Sequence, residues 1–237
     1  MKAIILAAGQ GTRLLPFTRD HPKCLVPVEG RAILDHQLDA LAAAGVRDVV
    51  VVGGYRLDRL QEHLARLPAA SRPALLANPF WAVSNSIGSV WTARGALDAP
   101  FCLLNGDTIL APDLLRDALA AARPGVNLVV EPARLFAHDD MRVGVADDIV
   151  AAVGKDLGEG EAGHRSLGVI VATGDAGPCD YARALEQVIC ADGGAQRFHH
   201  AVVGQLATTG KVHALVNTSP LWIEIDRPED IARWRQR

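Results

Sequence analysis

The sequence predicts an α/β fold in which a mostly parallel sheet is flanked by helices on both faces. Three observations carry this. Short apolar runs alternate along the chain with segments whose apolar residues recur at helical spacing. Of 237 residues, 49% are apolar, which suffices for one substantial core and is tight for two. The first apolar run breaks directly into a glycine-rich turn, as a buried strand does when it must feed a new element.

Taken in order, Ala3 to Ala8, Val49 to Val52, Ala74 to Ala77, Phe101 to Leu104 and Leu128 to Val130 read as buried parallel strands. Between them, Leu34, Leu38 and Leu41 share a helical face before Gly45, and Leu57, Leu60, Leu64 and Leu67 do so before Pro68. After Pro132 the rhythm changes. Arg142 to Val145 and Ile149 to Val153 flank Ala146-Asp147-Asp148 as a hairpin, and Leu167 to Ala172 follows as a strand. A helical stretch from Cys179 to Leu206 is interrupted at Gly193-Gly194. Strands Val212 to Val216 and Leu221 to Ile225 precede a short terminal helix, for which Asp226-Arg227-Pro228-Glu229 reads as a capping box with Asp226 as N-cap. No Pro/Gly/Ser-rich linker divides the chain. We expect one domain over 1–237, with the strand-helix repeat of 1–131 as a nucleotide-binding half and 132–237 as an elaboration that shapes an acceptor pocket.

A net charge of −3 without a dense Lys/Arg cluster argues against nucleic acid or an anionic membrane as the main partner. The opening apolar run is too short for a signal-peptide core, and no later run approaches a membrane span. Cys24, Cys102, Cys179 and Cys190 are scattered, which disfavours a zinc ribbon or a disulfide framework and points to a reducing, cytoplasmic setting. A homo-oligomer is compatible with all of this.

The loop Ala7-Ala8-Gly9-Gln10-Gly11-Thr12-Arg13 follows the first strand. Glycines let backbone N–H groups approach anionic oxygens, although a plain tight turn would use the same residues. A dinucleotide fingerprint would need glycine where Leu14 stands, and a P-loop would need Gly-Lys-Ser/Thr. The loop runs on as Gly11-Thr12-Arg13-Leu14-Leu15-Pro16-Phe17-Thr18 and then Pro22-Lys23-Cys24-Leu25-Val26-Pro27-Val28. Arg13 can fork across phosphate oxygens and Lys23 supplies a compact second charge; either alone would also pass for a solvated cation. This pattern resembles the signature of the sugar-phosphate and phosphocholine-type nucleotidyltransferases, which share a single Rossmann-like α/β domain. The resemblance implies that Ala7, Ala8, Gly9, Gly11 and Thr12 contact a nucleoside triphosphate and that Arg13 and Lys23 are catalytic cations. Leu25, Val26 and Val28 read as core.

Phe101 to Leu104 ends in Asn105-Gly106-Asp107, which is a good turn by itself and also sets a carboxylate at the ligand-binding edge of a sheet. The resemblance makes Asp107 a ligand of Mg2+. Trp222-Ile223-Glu224-Ile225-Asp226 offers two carboxylates at alternating positions, hence on one side of a strand. Its likeness to the ending of bacterial phosphocholine cytidylyltransferases implies Asp226 as second metal ligand and Glu224 as a third ligand or an acceptor contact.

Asn85 and Ser89 stand at a helix entrance, where they can cap the helix or read a base or ribose edge. Their N-x-x-x-S spacing resembles a segment of the phosphocholine, aminoethylphosphonate and inositol-phosphate cytidylyltransferases, with Val90 in place of leucine. It implies nucleotide contacts for both and CTP as the favoured donor. Met141 to Asp156 resembles a hairpin that ends, in these relatives, in a lysine near the acceptor phosphate; here that is Lys155, which an ordinary solvated lysine would match equally. Aromatics are only 5% of the chain and are not grouped, so a quaternary ammonium ranks below a more polar or anionic acceptor. Arg134, His138, Arg197, His199 and His200 are available for it, each more readily read as a surface residue.

The implied reaction is attack by an acceptor phosphate or phosphonate oxygen on the α-phosphorus of the triphosphate, releasing pyrophosphate. Such a monoester, with a second pKa of about 6, is already anionic near neutrality and needs no general base. The alternatives are a sugar-1-phosphate nucleotidyltransferase using UTP, GTP or dTTP, and a catalytically inactive nucleotide-binding regulator.

Overall fold

The computed structural model describes residues 1–158 and 160–234. Strand β1 (Lys2–Ala7) is followed by β2 (Pro27–Val28), β3 (Arg31–Ala32), α1 (Ile33–Ala43), β4 (Asp48–Gly53), α2 (Leu57–Ala65), β5 (Ala74–Ala77), α3 (Ser86–Thr92) and β6 (Phe101–Asn105). Then come β7 (Thr108–Leu110), α4 (Pro112–Ala121), β8 (Gly125–Pro132), β9 (Arg142–Ala146), β10 (Ile149–Gly154), β11 (His164–Thr173) and α5 (Ala176–Ile189). Helix α6 (His200–Ala207), β12 (Val212–Val216), β13 (Trp222–Glu224) and α7 (Pro228–Trp234) complete it.

Nine strands form one sheet in the order β5-β4-β1-β6-β11-β8-β12-β10-β9, with β9 also meeting β11. The first four, β5, β4, β1 and β6, are parallel, as strand-helix-strand connections require. The change of rhythm after Pro132 becomes a change of topology: β11 runs antiparallel between β6 and β8, and β9 and β10 form the expected hairpin. The fold is thus mixed and mostly parallel, as the alternation of apolar runs predicted.

Both faces of the sheet are covered, and the two-residue period of each strand sorts its side chains between them. Ile4, Val50, Val52, Phe101 and Leu103 pack toward α3, α5 and α6, whereas Ala3, Ile5, Val49, Val51, Cys102 and Leu104 join Leu34, Leu41, Leu60 and Leu115 on the opposite side. A third, smaller cluster lies outside these layers. It joins Leu14, Val26 and Val28 to Ile33, Ile109, Ile223 and Ile225. Its members are sequence neighbours of Arg13, Lys23, Asp107, Glu224 and Asp226, so burying them locks the charged residues between them in place. A fully buried Leu or Ile contributes about 1.5–3 kcal/mol, so this small cluster is a strong mortise for a loop.

The structure adds two elements to the sequence reading and corrects one expectation. The stretch between Asp107 and Gly125 carries an unforeseen strand and helix, β7 and α4, marked by Pro112 at the first helical position and by buried Leu114 and Leu115. The capping box at the last helix is displaced: Asp230 accepts from the N–H groups of Asp226 (3.0 Å) and Arg227 (2.8 Å). Asp226 does not cap; its carboxylate is turned to Arg13 and Lys23. The interruption at Gly193-Gly194 is real and separates α5 from α6.

Candidate active site

A cavity of about 420 Å³ opens at the carboxyl ends of β1 and β6. Ligands bind there in sheets of this kind, because successive strands send their loops to opposite sides and leave a crevice. The β1 loop forms one wall through Ala8, Gly9 and Arg13. Ala7 is buried at the end of β1, and Gly11, Lys23 and the exposed Thr12 do not line the cavity. Gly11 adopts φ +69°, and a Cβ there would lie 2.9 Å from the Lys23 side chain, so glycine lets the lysine pass close under the loop.

The second wall is acidic. Asp107 stands in the turn after β6, Glu224 ends β13 and Asp226 follows two residues later. One oxygen from each lies within 4.8 Å of the others. Strand β13 pairs antiparallel with β7, with Glu224 opposite Thr108, and Ile225 donates its N–H to the Asp107 carbonyl at 2.9 Å. Ile223 and Ile225 face the small core, so the alternation sends Glu224 and Asp226 to the cavity.

Lys23 donates to Asp107 at 2.6 Å and to Asp226, and Arg13 donates to Asp226 at 2.8 Å and to Asp139. Burial alone would lower the Lys23 ammonium, but Asp107 and Asp226 outweigh it and hold its pKa above the ordinary value. Burial, followed by the charges of Asp107 and Asp226, pushes the Glu224 carboxyl up to about 8 against the pull of Lys23 and Arg13. Two cations therefore do not saturate the trio. Asp107 Oδ1 is buried with no hydrogen-bond partner. An orphaned carboxylate oxygen among three hard donors fits a divalent cation better than it fits a closed ion-pair network.

Farther from the loop, the cavity meets α3 and the later strands. Asn85 lines it and receives the Ser86 N–H at 2.7 Å, so the capping and lining positions coincide. Ser89 is buried and accepts from Asn78 Nδ2 at 3.1 Å. Lys155 also lines the cavity, its ammonium 4.2 Å from the centroid of the Phe198 ring, and it makes no ion pair among the described residues. Cation–π contact leaves such a charge available to an anion.

Sequence reading ranked His199 and His200 with surface groups; both are buried and line the cavity. His199 Nδ1 lies 3.0 Å from Ser86 Oγ, and His200 Nε2 lies 3.0 Å from Ser166 Oγ, which accepts from the Gly168 N–H. Burial pushes His199 far below the ordinary imidazole value, with His200 adding to it. Burial and then Lys155 push His200 down to about 4. Both are neutral at pH 7 and form an uncharged polar floor. Arg134, His138 and Arg197 are exposed. Asn78, Asp139 and Ser166 also line the cavity, and no local pattern announced them.

With this geometry in view, comparison with known proteins is informative. The MobA-like NTP transferase domain matches residues 3–200. The chain is 30% identical over 236 residues to the CMP-5'-(3-aminopropyl)phosphonate synthase of Streptomyces rubellomurinus, covering 97% of this chain but 37% of that protein. It is 33% identical over 119 residues to the choline-phosphate cytidylyltransferase of Streptococcus pneumoniae, covering 50% of each. The chain thus spans half or less of the length of these relatives. The solved structure of the CTP:phosphocholine cytidylyltransferase from Streptococcus pneumoniae superposes with a TM-score of 0.80, over 99% of this chain and 97% of that one, at 20% identity. At that identity the likeness concerns the fold. No helix of the described residues is long and apolar enough to cross a membrane. A match over most of the chain, anchored on the loop and the sheet that build the cavity, shows that the chain belongs to the family of MobA-like NTP transferase domains.

Proposed function

We propose that this chain is a magnesium-dependent cytidylyltransferase domain, which transfers CMP from CTP to a small acceptor bearing a phosphate or phosphonate and releases pyrophosphate. The observation that carries the reading is the meeting of Arg13 and Lys23 with Asp107, Glu224 and Asp226 at one cavity wall, with a buried carboxylate oxygen left unpartnered. The 30% identity to an aminopropylphosphonate-activating relative over nearly the whole chain supports CTP and a phosphonate-like acceptor. Residues 1–131 serve the nucleotide and 132–237 the acceptor within one domain, and the setting is cytoplasmic.

Asp107 and Asp226 would hold the Mg2+, with Glu224 beside them. The bound ion supplies charge neutralisation on the triphosphate and a fixed geometry at its α-phosphorus. The backbone of Ala8 and Gly9 forms the phosphate cradle. Arg13 and Lys23 exchange their carboxylate partners for phosphate oxygens, which keeps the charge of the wall balanced as the anion enters. Asn85 and Ser89 hold the nucleoside, and Lys155 orients the acceptor's anionic oxygen. No residue needs to remove a proton from that oxygen.

Pyrophosphate release measured with CTP, Mg2+ and a panel of phosphorylated and phosphonate acceptors tests the reading. Turnover requiring all three components is the expected result. Tight nucleotide binding with no turnover for any acceptor would mark a regulator. Thermal stabilisation by each triphosphate ranks the donors; preference for UTP, GTP or dTTP with a sugar 1-phosphate would replace the cytidylyl assignment.

A further inference from the structure

Helix α1 turns an otherwise apolar face to the core, through Ile33, Leu34, Ala40 and Leu41, but places one amide among them. Gln37 is 1% exposed. Its Nε2 donates to the Asn105 carbonyl at 2.6 Å and to the Thr108 carbonyl at 2.8 Å, the two residues that bracket Gly106-Asp107. Its Oε1 is buried and has no partner. An apolar residue here would remove that unsatisfied acceptor but would take the donor from two carbonyls of one turn, so the glutamine serves that turn rather than the packing of the helix. Both of its donors are spent on one turn, 68 and 71 residues away in sequence.

Backbone contacts pin that turn on its other sides, and Lys23 holds the Asp107 carboxylate itself. Gly106 donates to the Leu6 carbonyl at 3.0 Å, and a Cβ on Gly106 would lie 2.3 Å from that oxygen, so β6 leaves the sheet in contact with β1. Ile225 donates to the Asp107 carbonyl, and Thr108 pairs with Glu224. The Asn105 and Thr108 carbonyls are the turn's ends, and Gln37 is the side chain that clamps them both. We infer that Gln37 is a positioning residue for the acidic trio, a clamp that fixes the Asp107 carboxylate and, through the Thr108–Glu224 pairing, the start of the Glu224–Asp226 segment. Supporting residues of this kind govern metal affinity without touching the metal.

The metal arm of the test rests on the proposed role of Asp107; the positioning arm does not. Gln37→Met keeps the length and removes both donors, and Gln37→Glu keeps the shape but sets an acceptor against two carbonyls. Leu41→Ala, at a fully buried position one helical turn beyond Gln37 and with no polar side chain to offer the Asn105–Thr108 turn, controls for lost stability. Amide hydrogen exchange at Gly106 reads the clamp directly. In Gln37→Met it should accelerate about tenfold or more beyond Leu41→Ala, when both are measured well below their melting temperatures. Mn2+ affinity, counted by the spin resonance of the free ion, should fall about 10- to 100-fold in Gln37→Met and stay near wild type in Leu41→Ala. At saturating metal the KM for CTP should move little while kcat falls. Equal Gly106 exchange in Gln37→Met and Leu41→Ala would overturn the inference. So would Mn2+ affinity falling no further in Gln37→Met than in the control. A wild-type chain that binds no Mn2+, with Gly106 exchange still accelerated in Gln37→Met, would sink the metal assignment and leave the clamp standing.

Discussion

The two ends of the cavity are built on opposite electrostatic plans. At the loop end both cations are paired: Lys23 and Arg13 are shared among Asp107, Asp226 and Asp139, with Glu224 beside them outside any ion pair among the described residues. At the far end Lys155 rests on an aromatic ring and two histidines are held neutral. A pre-paired wall must exchange partners to take a ligand, so it selects anions strong enough to displace a carboxylate, such as a triphosphate. An unpaired lysine over a neutral floor takes a single anion and tolerates variety behind it. The comparison predicts that damage at the loop end abolishes chemistry, whereas damage at the far end changes what is accepted.

The largest expected effect is at the loop end. Asp107→Asn keeps the turn's shape and removes a ligand charge, and turnover should fall by about 10³-fold, the scale seen when one preorganised electrostatic contact is lost. Pyrophosphate release would measure it, alongside a melting curve showing the fold retained. Near-full activity would break the proposed chemistry.

The far end makes its own large prediction, in stability. His200 is held at about 4 against an ordinary 6.5. Below pH 6.5 the unfolded chain therefore takes up a proton that the folded chain refuses until about pH 4. Stability is thus complete above pH 6.5 and is lost as the pH falls toward 4, by about 3 kcal/mol for this one group. His199 adds loss in the same direction. His200→Gln, which can still bond Ser166, should shrink the loss of unfolding free energy between pH 7 and pH 4 by about that amount in denaturant titrations. An unchanged pH profile would mean that the imidazole titrates freely.

The difference between the ends also explains what could be read from sequence. The loop, Lys23 and the alternating Glu224 and Asp226 are local: residues a few positions apart lie on one surface because a strand or a tight turn puts them there. Val26 and Val28 were expected in the core, and they are buried beside the charges they support. Gln37, His199, His200 and Ser166 reach the site through tertiary packing, and their neighbours in sequence carry no matching pattern. Asp226 offers two readings in sequence, a helix cap and a ligand carboxylate, and spacing alone keeps both. The contacts of Asp226 with Lys23 and Arg13, and Asp230 accepting the first N–H groups of the helix, exclude the cap.

Lys155 sharpens the comparison at intermediate size. A charge-assisted contact to an anionic acceptor is worth about 1.5–3 kcal/mol, so Lys155→Ala should lower kcat/KM for the acceptor about 10- to 100-fold. CTP binding, read by calorimetry, should stay within a factor of two or three. A parallel loss of CTP affinity would place Lys155 on the donor instead.

The smallest effect has the opposite sign. Asp139 belongs to the loop end, lines the cavity and holds Arg13, whose guanidinium the triphosphate must claim. Asp226 also holds Arg13, but its carboxylate gains a metal in the proposed complex, while Asp139 gains nothing for the partner it gives up. It therefore acts as an internal competitor of phosphate. Arg13 is nearly half exposed, which screens the pair and keeps its strength on the surface scale of about 0.2–1 kcal/mol. Asp139→Asn should accordingly tighten CTP binding by about two- to fivefold while leaving the divalent-ion requirement unchanged. Weaker CTP binding in the variant would give Asp139 the other role, that of aiming Arg13 at the phosphates. The loop end would then be preorganised by its carboxylates rather than restrained by them.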